Sequence, residues 1–296
     1  MNRTHAKILT FAAFGCALLF SSGDSFAHKV KEDNSWWWSD SWWKNGRLPV
    51  PVNHRVKTHW VTYHNGDVEI RALVARPRGR GRYPAVLFQH GRRGLDTLIR
   101  LHVRRLAARG FVVFAPDIYT GRFIGTHPIK HDYALEEDVN LGLTKLLTLP
   151  YISTRRACLY SHTRGGYYTL KVAVTKKRQK RHAACYVSYY PHVQDPNAPE
   201  PMQVYRYAPE VDDLKIPVLI FVGEKEQYQR MRSIRMAVES LTEKKRDARL
   251  IVYPGVGRGF DFRPEAVRTF ADDLASKDAL LRAARFMRKH LRRYRR

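Results

Sequence analysis

The stretch Ala157-Cys158-Leu159-Tyr160-Ser161-His162-Thr163-Arg164-Gly165-Gly166 decides the fold. Ala157–Tyr160 is a short apolar run suited to a buried strand, and residues 166–176 continue as a helix, with a tight turn between them. Small residues flanking such a turn let the chain pass close to its neighbours, so the central side chain projects alone. That is the shape of a nucleophile elbow, with Thr163 at its tip.

The segments on either side repeat the pattern of strand and helix. Val56–Tyr63 and Val68–Ala75 alternate in polarity around Asn65-Gly66, a strong hairpin signal. Ala85–Gln89, Phe111–Ala115, Ala183–Tyr189, Pro217–Val222 and Leu250–Tyr253 read as further strands. Helices are expected over Thr97–Arg109, Leu135–Leu147, Tyr228–Lys245 and Ala279–Leu291; the first carries Leu98, Leu101, Val103 and Leu106 at helical spacing and closes on Gly110. Strands this apolar, most followed by a helix, predict an α/β domain over 51–291, its mostly parallel sheet covered on both faces, followed by a short basic tail at 292–296.

Residues 1–27 read as an export signal. Arg3 and Lys7 precede an apolar run from Ile8 to Phe20, and Ser25-Phe26-Ala27 places small residues where a signal peptidase cleaves. Thirteen apolar residues fall short of the roughly 20 needed to span a bilayer. The expected product is secreted or periplasmic and begins at His28. Residues 28–50 hold five of the six tryptophans, with no period to place them on a strand or helix; packing of the indoles into a groove on the body is preferred over an interfacial anchor, because exposed indoles would promote association. Only Cys158 and Cys185 survive cleavage, too few for a zinc site. They could pair after export, but two buried thiols acting as small hydrophobes are the preferred expectation.

The chain has 296 residues, 53 Lys and Arg against 27 Asp and Glu, and a formal charge of +26. With 44% hydrophobic and 12% aromatic residues, it is neither collagen-like nor disordered. Loss of the leader removes two cations and one anion and leaves +25. Such an excess speaks to partners and solubility, and fold is indifferent to it. Export and the lack of a recognisable nucleic-acid module argue against nucleic acid. An anionic membrane surface, an acidic envelope polymer or an acidic protein fits better, with binding that weakens steeply in salt. Residues 176–181, with five cations in six positions, and the arginine-rich C-terminus are the densest patches.

Several turns carry a family resemblance: the elbow, His90-Gly91-Arg92-Arg93-Gly94-Leu95, Ala115-Pro116-Asp117-Ile118-Tyr119, Gly223-Glu224-Lys225-Glu226 and Tyr253-Pro254-Gly255-Val256-Gly257-Arg258-Gly259-Phe260. Together with the element order over about 68–291, they resemble the dienelactone hydrolase family of α/β hydrolases. The resemblance implies hydrolysis of a lactone or ester by a Cys or Ser nucleophile, a His base and an Asp, without metal or cofactor. By position the nucleophile falls on Thr163, the acid on Glu226 and the base on Arg258, while His90, Gly91, His162 and Arg164 fall at the oxyanion region or pocket.

Each member of the triad departs from that pattern. Glu for Asp is mild, since either carboxylate can orient an imidazole. Arginine has no acceptor and stays protonated, so it cannot take a proton from a hydroxyl. A β-branched threonine resists the strained backbone of an elbow. The simplest expectation is that Glu226 and Arg258 form an ion pair, leaving a weak or inactive hydrolase with a cleft for an ester- or lactone-like ligand. Alternatives are an active hydrolase using Thr163 and a displaced histidine, with His90, His127, His131, His162 and His192 available, and an adaptor for an anionic surface.

Overall fold

The computed structural model describes residues 54–296; the expected leader and the tryptophan-rich segment lie outside the described residues. Strands β1 (Val56–Asn65) and β2 (Val68–Pro77) form the expected hairpin, turning through Gly66 at φ +56°. There follow β3 (Tyr83–Gln89), α1 (Thr97–Ala108), β4 (Val112–Asp117), α2 (Leu135–Leu147), β5 (Ile152–His162), α3 (Gly165–Ala173) and β6 (Ala183–Tyr189). The chain continues through α4 (Glu200–Tyr205), β7 (Val218–Lys225), α5 (Tyr228–Glu243), β8 (Ala248–Gly257) and α6 (Phe270–Leu291).

The eight strands make one sheet in the order β1-β2-β4-β3-β5-β6-β7-β8. β1 and β2 run antiparallel to each other and β2 antiparallel to β4; every other pairing is parallel. This is the α/β-hydrolase arrangement. The central strands are buried on both faces, which is why they read as unbroken apolar runs. Tyr160, Tyr189, Tyr190, Phe88, Phe221 and Phe260 fill the core beneath the carboxyl ends of the strands.

Two elements begin well before their expected starts, by five and nine residues. β5 starts at Ile152 because the Thr154 hydroxyl accepts from the Ala85 amide at 3.1 Å, which extends pairing beyond the apolar run. α6 starts nine residues before Ala279, where Thr269 and Asp272 form a reciprocal capping box. Its first turns carry Asp272, Asp273, Lys277 and Asp278, and those charges masked the apolar face.

The preference for two free thiols is corrected: Cys158 and Cys185 are joined in a disulfide. They are register partners on adjacent strands β5 and β6, with Cα atoms 4.7 Å apart and both side chains fully buried. Strand adjacency and register, which bring the two sulfurs together, are tertiary facts.

Candidate functional site

The loops leaving β3, β5, β6, β7 and β8 meet at the carboxyl edge of the sheet, where parallel α/β sheets gather their ligands. At the tip of the β5–α3 turn, Thr163 has φ +50°, in the left-handed region that β-branched residues avoid. Such a conformation costs on the order of 1–3 kcal/mol and needs surrounding structure to hold it. Here the Thr163 amide donates to the Tyr189 carbonyl at 3.1 Å, and the Thr163 carbonyl accepts from the amides of Gly166 at 3.0 Å and His192 at 2.9 Å. Gly91 is required opposite, because a Cβ there would coincide with the Thr163 hydroxyl oxygen. The turn is therefore an elbow in backbone terms, with a threonine at its tip.

Thr163 opens on a cavity of about 360 Å³ whose wall includes Arg92, Arg93, His127, His192, Arg230 and Arg258. Glu226 and Arg258 meet beside it: Arg258 Nη1 donates to Glu226 Oε1 at 3.0 Å, and the same oxygen accepts from the Gln227 amide at 3.0 Å. The Glu226 side chain is buried, whereas that of Arg258 is a quarter exposed and lies over the Tyr190 ring at 5.2 Å. The group that Glu226 faces here is thus a guanidinium, which donates and has no acceptor.

The remaining pocket candidates separate into two groups. His90 is buried, its Nδ1 2.8 Å from the Gly91 carbonyl and its ring edge-on to Tyr119, outside the cavity wall. Arg164 also faces away from the cavity; its guanidinium donates to the carbonyls of Pro128, Ile129 and Lys130 at 2.7–2.9 Å. An arginine fork finds three acceptors in that bent loop, which explains why it does not reach the pocket. His131 packs among Tyr133, Tyr167 and Tyr168 with Nε2 3.3 Å from Glu136. His127 and His192 do line the cavity with Thr163. Burial pushes the His192 pKa well down, and Arg230, Arg258, Arg164 and Arg92 push it further, so its imidazole is neutral. Among the described residues, no hydrogen bond joins the Thr163 hydroxyl to an imidazole.

His162 turns into the core, where it meets a network that sequence reasoning missed. His162 Nε2 lies 2.8 Å and His102 Nδ1 2.9 Å from the same Asp261 oxygen, and Tyr190 donates to the other. His102 Nε2 is in turn 2.6 Å from the Tyr160 hydroxyl. Ligand atoms of His102, His162 and Asp261 lie within 4.8 Å of one another, yet both imidazoles are spent on one carboxylate oxygen, so the cluster is a hydrogen-bonded network in which a metal would have to displace both bonds. Burial would raise the Asp261 pKa, but His162 and the two imidazole hydrogen bonds outweigh it and hold the carboxyl well below its usual range. The network ties the residue before the elbow tip to the loop carrying Arg258. Also missed were Arg230 and Gln227 at the start of α5, which the sequence presents as ordinary polar helix residues.

The sheet order and the elbow turn define the α/β-hydrolase fold. The chain belongs to the dienelactone hydrolase family, whose model matches residues 70–291. A relative from Bacillus subtilis (strain 168), named as the uncharacterized peptidase YtmA, is 27% identical over 208 residues, covering 61% of this chain and 77% of its own. Among solved structures, esterase Est22 superposes with a TM-score of 0.64 at 14% identity, over 79% of this chain and 80% of its own. A brefeldin A esterase, described as a bacterial homologue of human hormone sensitive lipase, gives 0.62 at 19% identity over 83% and 80%. At these identities the structures speak to fold alone.

Proposed function

We propose that this chain is an exported member of the dienelactone hydrolase family in which ester or lactone hydrolysis is weak or lost and the cleft is kept for binding. The observation that carries the reading is the 3.0 Å contact between Arg258 and Glu226. Arg258 is a donor without an acceptor, and its contact holds Glu226 as an ion-pair partner in place of an imidazole, so the base position supplies no imidazole to take the proton that a threonine must release to become a nucleophile. The buried disulfide supports export, since such bonds persist in oxidising compartments. The test is turnover of p-nitrophenyl acetate: a rate indistinguishable from buffer supports the proposal, and a rate abolished by Thr163→Ala overturns it.

One observation favours a second reading. His192 is neutral and shares the cavity with Thr163, so it could serve as a displaced base. A covalent adduct on Thr163 from a fluorophosphonate probe, lost in His192→Ala, would establish that reading. For the chain as a whole, the basic groove formed by Lys176, Lys177, Arg178, Lys180 and Arg181 suits an anionic envelope component or an acidic protein, with affinity falling as salt rises.

A further inference from the structure

The cavity wall has more positive charge than its own carboxylates answer. Four guanidiniums line it, from Arg92, Arg93, Arg230 and Arg258. Arg93 is paired with Asp96 and Arg258 with Glu226. The other two have only neutral partners. Arg92 donates to the carbonyls of Pro128 at 2.9 Å and His127 at 2.7 Å. Arg230 donates to Gln194 Oε1 at 2.7 Å and Gln203 Oε1 at 3.4 Å. Burial, and after it the nearby Arg258, lowers the Arg230 pKa to about 10, which leaves it charged at neutral pH. Glu226 also acts on Arg230 at a distance, but four guanidiniums against the two carboxylates of Asp96 and Glu226 leave an excess of two positive charges facing a partly enclosed space.

Further donors point to the same place. Thr163 contributes a hydroxyl, and α3, nine residues long, begins two positions after it, so the amides of that helix terminus favour an anion there. Burial first, and then Arg230, Arg258, Arg164 and Arg92, push the His192 pKa down, so this imidazole adds no further charge to the wall.

We infer that this cavity binds a doubly charged phosphoryl group, carried by a small phosphate monoester. The inference rests on the proposal that the cleft binds and does not hydrolyse. A phosphate monoester carries about −1.5 to −2 at neutral pH, which matches two unanswered guanidiniums, and its oxygens suit the fixed fork of arginine. A carboxylate would leave one of the two charges unanswered. The volume of about 360 Å³ falls within the range of small-molecule pockets and leaves space beyond the phosphoryl group.

The experiment is calorimetric titration of the full chain at pH 7.5 with phenyl phosphate, phenyl sulfate and inorganic phosphate. Phenyl phosphate should bind saturably and at least tenfold more tightly than phenyl sulfate, which has a similar shape and one charge. Arg92→Gln and Arg230→Gln should each weaken it at least tenfold, while Lys57→Gln, which removes the same charge from an exposed position on β1, should not. Tighter binding of phenyl phosphate than of inorganic phosphate assigns the site to a monoester; equal binding assigns it to free phosphate. Equal affinity for the sulfate, equal weakening by Lys57→Gln, or no saturable binding would overturn the inference, and the sulfate comparison needs no variant. Turnover of p-nitrophenyl acetate in the same preparation separates the two ideas. Phosphate affinity with ester turnover removes the inactive reading alone, and absence of both removes the phosphoryl site alone.

Discussion

Replacing Asp261 by alanine removes the acceptor shared by His102, His162 and Tyr190 at the centre of the core network. All four residues are almost completely buried, so no solvent replaces the lost partner. An unsatisfied buried donor costs about 1–3 kcal/mol. Three donors would sum to more than the whole if each were stranded, but the tyrosine hydroxyl can rotate and one imidazole can change tautomer. A net loss of about 3–5 kcal/mol follows, the range seen when one member of a buried charged set is deleted. For a body of this size that corresponds to a fall in Tm of about 6–20 °C. Asp261→Asn provides the contrast. The asparagine carbonyl can stand where one carboxylate oxygen accepts from both imidazoles, and its amide can donate to the Tyr190 oxygen, so the loss should be about 1–2 kcal/mol. Thermal and urea unfolding of the two variants are the assays. A loss below about 1 kcal/mol for Asp261→Ala, or equal losses for the two variants, would refute the assignment of the network as a structural tie.

Three other outcomes follow from the geometry. The His102 pKa is pushed down to about 4, by burial first and then by His162, against the pull of Asp261. The unfolded chain takes this proton near pH 6.5 and the folded chain only near 4, so stability falls as pH drops through that window, by up to about 3 kcal/mol from this group. Buried His90 and His192 act in the same direction, whereas Asp273, raised to about 6 chiefly by burial, opposes them; the decline should therefore be shallower in His102→Gln than in the parent when Tm is followed against pH. The double substitution Thr163→Ser and Arg258→His supplies an acceptor and a hydroxyl free of β-branching, and p-nitrophenyl acetate hydrolysis should rise at least tenfold, general-base assistance being worth on the order of 10²–10⁴; an unchanged rate would show that the loops no longer aim residue 258 at residue 163. Opening the Cys158–Cys185 bond, which spans 27 residues, should cost about 3–4 kcal/mol on the loop-closure model, read as a lower unfolding midpoint in Cys158→Ala/Cys185→Ala.

The sheet was legible because its central strands are buried on both faces and have no polar alternation to confuse them. Residues 112–116 and 183–187 appear as continuous apolar runs because helices cover them front and back. The elbow was legible for a different reason: close approach leaves a local mark, visible in Gly91, Gly165 and Gly166. What could not be read are pairings across distance. His102 and Asp261 are separated by most of the domain, and either alone looks like a residue of a polar helix face or a loop. Arg230 resembles any other cation of α5 until the fold turns the start of that helix towards Thr163. The beginning of α6 was obscured by its own capping chemistry, since the acidic residues that stabilise a helix N-terminus lower its apparent amphipathicity.

Arg164 has a consequence outside chemistry altogether. Its guanidinium gathers three successive carbonyls from residues 128–130, a loop whose Ile129 side chain is 84% exposed. Proteases require the backbone to detach and extend, so an exposed side chain on a pinned main chain is a poor cleavage point. This loop should therefore survive limited proteolysis in the parent and become a preferred cut site in Arg164→Ala. In that sense the residue after the elbow tip acts as a latch on a neighbouring surface, and digestion patterns would report the integrity of the elbow without any substrate.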